Sequence, residues 1–162
     1  MNFVNNGKQM IDQPVPDLKL PATSGKSVSF AELRGSPFII YFYPKDNTPA
    51  CTTEGQQFRD LHDEFRRLGC DVFGVSRDSI RSHEAFKEKM GFPFELLSDQ
   101  EEKACSSFAV IKMKNMYGRQ VRGIERSTFA VDSAGVVRGE WRAVKVPGHA
   151  QEVLDFVKTR VT

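Results

Sequence analysis

The sequence predicts an α/β protein, a three-layer α/β/α sandwich around a mixed central sheet. Two apolar runs, 38–43 and 71–75, alternate with stretches of helical period, as parallel strands joined by helices do. Two further strand-like runs, 127–132 and 136–141, are hinged at Ser133, Ala134 and Gly135, which reads as an antiparallel hairpin. No repeat, low-complexity stretch or linker divides the chain.

Taken in order, residues 1–13 are polar and read as a loose extension ahead of a single domain at 14–162. Pro14 to Leu20 alternates like an edge strand that tolerates proline. Residues 23–26 make a turn, 27–30 a short strand, and 33–35 a second turn. The run 38–43 is a buried strand that stops at Pro44. The helix after it carries Phe58, Leu61, Phe65 and Leu68, three or four apart with charges between, and Gly69 stops it. Residues 71–75 form a second buried strand. Ser79 can cap a helix with Ile80, His83, Phe86 and Met90 on one side, ended by Gly91. A third strand at 94–97 leads to a short helix capped by Asp99 and carrying Ala104, Cys105 and Phe108. Residues 111–123 lack a clean period and read as a loop with a helical turn at most. After the hairpin, Gly148 precedes a closing helix with Val153, Leu154, Phe156 and Val157.

The 162 residues are enough to bury about two thirds of the unfolded surface. Lys and Arg number 23 against 21 Asp and Glu, interspersed, so no surface for nucleic acid or membrane is implied. No apolar run approaches the roughly 18 residues of a membrane span, and residues 1–13 lack the apolar core of a secretory signal. Three cysteines, an odd number, argue against a secreted disulfide framework and for a reducing cytoplasm. His62, His83 and His149 have no Cys or His partners at ligand spacing, so no zinc or other metal site is expected.

The stretch that carries chemistry is 41–55. A polar turn follows Pro44, and Cys51 then stands where a helix begins, with Thr48 three residues ahead of it and Pro49 suited to a first turn. Glu54 sits where the helix dipole favours an anion. Unpaired backbone N–H groups and the positive end of the dipole favour the thiolate, which is the reactive form. In an open α/β sheet this loop lies at the carboxyl ends of the strands, where ligands bind.

Pro44, Thr48 and Cys51, in the pattern P-x-x-x-T-x-x-C, resemble the peroxidatic motif of the peroxiredoxins. The wider run from Phe42 to Glu54 is similar to their bacterioferritin-comigratory, or peroxiredoxin Q, branch. Supporting matches are 75–78 (VSRD), 97–99 (LSD), 126–129 (RSTF) and 148–150 (GHA), so the likeness spans nearly the whole chain. It implies a thioredoxin-like fold, reduction of hydrogen peroxide and organic hydroperoxides, and a part in antioxidant defence. It also implies an external thiol as reductant (thioredoxin, glutaredoxin or a small thiol), no cofactor, and a monomer or weak homodimer. Cys51 would be the nucleophile and pass through a sulfenic acid. Thr48 would hydrogen-bond a peroxide oxygen, Arg126 would hold the thiolate and donate to the peroxide, and Pro44 would shape and shield the pocket.

The second thiol departs from the family. Many members of the branch carry a resolving cysteine five residues after the first, where this chain has Gln56; others place it around 84–88, where none occurs. Cys70 and Cys105 remain. Cys70 lies about 28 Å along the helix that Cys51 begins, and a disulfide needs Cα atoms within about 7 Å. Cys105 is the possible resolving residue, although a core thiol is the plainer reading of it. The expected cycle therefore uses one cysteine. Another class of function, a thioredoxin-fold binding or holdase module with an incidental cysteine, would be told apart by thiol loss on adding peroxide. A disulfide reductase is disfavoured because 51–54 (CTTE) has no second cysteine, and a phosphatase because 51–57 holds no arginine.

Overall fold

The computed structural model describes residues 9–161. Its central strand is β3 (Phe38–Phe42), buried along its whole length. The run is apolar throughout because helices and loops cover both of its faces. Alternate side chains serve two cores, following the two-residue period of a strand. Phe38, Ile40 and Phe42 pack with Met10, Phe30, Phe108 and Phe129 on one face. Ile39, Tyr41 and Tyr43 pack with Cys51, Phe58, Phe86 and Leu154 on the other.

On one side β3 pairs in parallel with β4 (Asp71–Ser76), and β4 with β5 (Glu95–Ser98). On the other it pairs antiparallel with β8 (Ser127–Val131), which pairs with β9 (Val137–Trp141). β1 (Lys19–Ala22) and β2 (Lys26–Ser29) complete the order β2-β1-β5-β4-β3-β8-β9. Helices α1 (Pro49–Asp60), α2 (His62–Arg67), α3 (Ile80–Met90) and α5 (His149–Arg160) supply the core that holds Cys51. The short α4 (Lys103–Ser107) and a 3-10 turn, Ala31–Leu33, cover the opposite face. The expected three-layer sandwich with a mixed, thioredoxin-like sheet is the observed one.

Three local readings need correction. The first helix is broken at Leu61, which leaves helical backbone (φ −99°, ψ 2°) between α1 and α2. Residues 111–123 are not a loop: β6 (Ile111–Met116) and β7 (Arg119–Ile124) form a two-stranded ribbon outside the main sheet. Tyr117 and Gly118, both at positive φ, close it as a tight hairpin turn. Residues 1–8 of the expected loose extension lie outside the described residues, but residues 10–13 are tied down. The Met10 side chain is buried and its N–H donates to Glu140 Oε1 at 2.7 Å. The Asp12 N–H reaches the Val137 carbonyl, and the Val137 N–H reaches that of Gln13. This stretch extends the sheet edge at β9. Among the described residues, no helix is long and apolar enough to cross a membrane.

Candidate active site

β3 hands the chain over at Tyr43, whose N–H still reaches the Val75 carbonyl at 3.0 Å. Half-buried Pro44 follows, and having no N–H it ends the ladder there. The turn that comes next contains Asn47 at φ +64° and delivers Thr48, in extended conformation (φ −82°, ψ 153°), to the N-cap of α1. Cys51 is the third residue of the helix and is only 2% exposed. Pro49 has no N–H, and the N–H groups of Ala50 and Cys51 have no acceptor within the helix, since its first bond is Thr52 N–H to the Thr48 carbonyl at 2.9 Å. The sulfur therefore sits at the positive end of a twelve-residue helix.

Thr48 does not cap the helix with its side chain. Its hydroxyl donates to the Lys45 carbonyl at 2.8 Å, so the oxygen lone pairs are what it offers to a visitor.

The register of β3 and β8 brings in the arginine. Phe42 faces Ser127, so the preceding residue, Arg126, falls opposite the start of the pocket loop. The Val144 N–H donates to the Arg126 carbonyl at 3.0 Å and fixes that backbone. The guanidinium forks: Nη2 lies 3.5 Å from Cys51 Sγ and Nη1 2.6 Å from Glu54 Oε1. Burial works against its charge, but the negative partners Glu54 and Cys51 outweigh it and hold Arg126 protonated.

Glu54 belongs to the site more closely than its place near a helix start implies. It lies beyond the first turn of α1, where the dipole effect fades, and its carboxyl is instead wholly buried on the face of Cys51, three residues on. That spacing was the available signal. Oε1 takes the Arg126 bond, while buried Oε2 has no hydrogen-bond partner among the described residues. Loss of hydration at this carboxyl, only partly offset by Arg126, pushes its pKa up to about 7.

His149 begins α5, as expected, and its Nε2 shares a 2.8 Å hydrogen bond with the Thr128 hydroxyl on β8. Burial lowers its pKa. Trp141 stacks edge-on against His149 and Phe156, a packing role. Cys70 shares a core with Cys51 but follows α2, and burial pushes its thiol up to about 12. Cys105 belongs to the other core, across the sheet from Cys51. Burial raises its pKa too, and its N–H donates to Asp99 Oδ2 at 2.7 Å.

Fold and site together describe a thioredoxin-like protein that presents one buried cysteine to an arginine at a helix N-terminus. The chain belongs to the AhpC/TSA family, whose profile matches residues 11–140. It is 51% identical to peroxiredoxin Bcp of Xanthomonas campestris, over 88% of this chain and 89% of that one. It is 46% identical to peroxiredoxin Bcp of Bacillus subtilis, over 91% and 94%. The solved structure of the X. campestris bacterioferritin comigratory protein, studied for its alkyl peroxide reduction activity, superposes with a TM-score of 0.86 at 49% identity, covering 90% of this chain and 93% of that one. The chain is thus a peroxiredoxin of the Bcp (peroxiredoxin Q) branch, a thiol-dependent peroxidase.

Proposed function

We propose that Cys51 is the peroxide-reactive thiol and that it works in a one-cysteine cycle. The observation that carries this is the Arg126 fork, which aims one nitrogen at the sulfur and anchors the other on buried Glu54. The Cys51 thiolate attacks one peroxide oxygen, the O–O bond breaks, and the sulfur becomes a sulfenic acid. The second oxygen leaves as hydroxide or alkoxide and takes up a proton to give water or an alcohol. Arg126 stabilises charge on both the sulfur and the departing oxygen. Thr48 accepts the peroxide O–H, because its own hydrogen is committed to Lys45. Pro44 closes one side of the pocket.

Organic hydroperoxides are included in the substrate range. The structurally similar X. campestris protein was studied for alkyl peroxide reduction. A cleft of about 480 Å³, lined by Trp141, Val144, Pro147 and His149 together with Arg142, Lys145 and Glu152, meets the Arg126 backbone through Val144 and could receive an organic tail. An external thiol then condenses with the sulfenic acid, releasing water and forming a mixed disulfide that a second thiol resolves. The separate core of Cys105 and the distance of Cys70 along the helices favour this route over an internal disulfide. Peroxide turnover driven by an external thiol, compared between the parent and Cys51→Ser, tests the assignment: activity retained in the variant would remove Cys51 from the reaction.

A further inference from the structure

We infer that His83, acting through Asp46, is a positioning residue that sets the Thr48 hydroxyl for peroxide; this rests on the reading of Cys51 and Thr48 given above. Asp46 lies in the pocket loop, two residues before Thr48, with its side chain 2% exposed. Three side-chain donors converge on its carboxylate. The Tyr43 hydroxyl reaches Oδ1 at 2.7 Å, and the Ser82 hydroxyl and His83 Nδ1 both reach Oδ2 at 2.7 Å. His83, in the first turn of α3, is fully buried, and its Nε2 donates to the Leu97 carbonyl at 2.9 Å. A carbonyl and a carboxylate can only accept, so both ring nitrogens carry hydrogen, and the ring is fixed as an imidazolium paired with Asp46.

The backbone of Asp46 is held as well, its N–H donating to Asp78 Oδ2 at 2.9 Å. Between this fixed residue and Thr48 stands Asn47 in the left-handed region, a conformation that asparagine tolerates but that needs its surroundings to enforce it. The carbonyl that receives the Thr48 hydroxyl belongs to Lys45, the neighbour of Asp46 on the other side. The Thr48–Lys45 hydrogen bond therefore bridges the residue that α3 grips. If the grip were lost, the Lys45 carbonyl and the strained Asn47 would relax together, and the Thr48 lone pairs would turn from the peroxide. Asp46, Asp78 and His83 also bring ligand atoms within 4.8 Å of one another, as a cation site would. Both Asp46 oxygens and Asp78 Oδ2 already hold protein donors, so the cluster is a hydrogen-bonded clamp.

A double-mutant cycle read by stopped-flow kinetics tests this. His83→Ala is expected to slow the reaction of Cys51 with hydrogen peroxide by about 10-fold, as displacement of a positioning group does. In a Thr48→Val background the same change should cost less than about 2-fold, because the group it positions is gone. Alkylation of Cys51 by iodoacetamide, which needs the thiolate but no aligned oxygen, should change by less than about 2-fold in His83→Ala. His83→Asn, whose amide can still donate to Asp46, should recover most of the rate. If the alanine variant fails to fold, Ser82→Ala removes one donor at a half-buried position and should give a smaller loss that likewise vanishes without the Thr48 hydroxyl. Equal losses with and without that hydroxyl, or a parallel fall in alkylation, would overturn the proposal. A parent protein inert toward peroxide would instead overturn the reading on which it rests.

Discussion

Arg126 Nη2 stands 3.5 Å from Cys51 Sγ, although the two are 75 positions apart in sequence. β8 makes the contact by pairing antiparallel with β3, which ends just before the pocket loop. The other arm of the guanidinium is spent on Glu54, so the arginine is held by a buried carboxyl while it faces the sulfur.

Replacing Arg126 with Lys keeps a charge but loses the fork, since one ammonium cannot serve Glu54 and Cys51 in the same geometry. The rate of peroxide reduction should fall by about 100-fold, the usual cost of removing a donor from developing charge. Thermal stability should change little. Stopped-flow consumption of peroxide and a melting curve check both, and an unchanged rate would remove Arg126 from the site.

Glu54 should give the protein a pH signature. Its folded pKa, about 7, lies above its ordinary value of 4.5. A carboxyl raised in this way binds its proton more tightly when folded. Its contribution to stability is complete below about pH 4.5 and is lost as pH rises through 7. The whole effect is at most about 3 kcal/mol. Glu54→Gln should flatten that slope in denaturation curves taken across the range. The same variant should lose an ionisation near 7 from the pH profile of Cys51 with peroxide, because the parent carboxylate draws charge from Arg126 only when ionised. Identical pH profiles in parent and variant would separate Glu54 from the chemistry.

Gly55, next to Glu54 on α1, is small for a reason. A Cβ there would collide with Phe92 Cζ, and Phe92 is itself stacked on Phe94 with ring centroids 5.0 Å apart. Gly55→Ala should cost about 2 kcal/mol of stability through overpacking. That corresponds to a fall in Tm of about 6 °C for a chain of this size. Calorimetry reads it directly, and a Tm equal to that of the parent would mean that Phe92 yields freely.

What the sequence revealed and what it hid follow a physical line. The run 38–43 was legible because a strand covered on both faces is apolar at every position. Cys51, Thr48 and Pro44 were legible because one loop and one helix start place them, with no distant partner required. The ribbon at 111–124 was not legible: it is largely exposed on both faces, so Lys112, Met113, Lys114 and Met116 follow no alternation. The anchoring of Met10 was hidden for another reason, since its N–H partner, Glu140, is 130 positions away. His83 fell on the buried side of a helix as expected, but the period of α3 carries no trace of Asp46, 37 positions back.

Cys70 and Cys105 should be dispensable for turnover. Both are buried thiols with raised pKa values, and the sheet lies between Cys105 and Cys51. Cys70→Ser and Cys105→Ser should reduce peroxide at the parental rate when an external thiol is supplied. A sulfenate that persists in Cys105→Ser but closes to a disulfide in the parent would make Cys105 the resolving residue.

The central claim, a one-cysteine peroxidase at Cys51, is tested most directly by intact mass after one equivalent of hydrogen peroxide, in the absence of any other thiol. The protein should gain a single oxygen, located on Cys51 by a sulfenic-acid-specific trap and reversed by adding thioredoxin or a small thiol. Loss of two hydrogens with no added oxygen would reveal an internal disulfide, and an unchanged mass would reveal an inert thiol. Either of those results would contradict it.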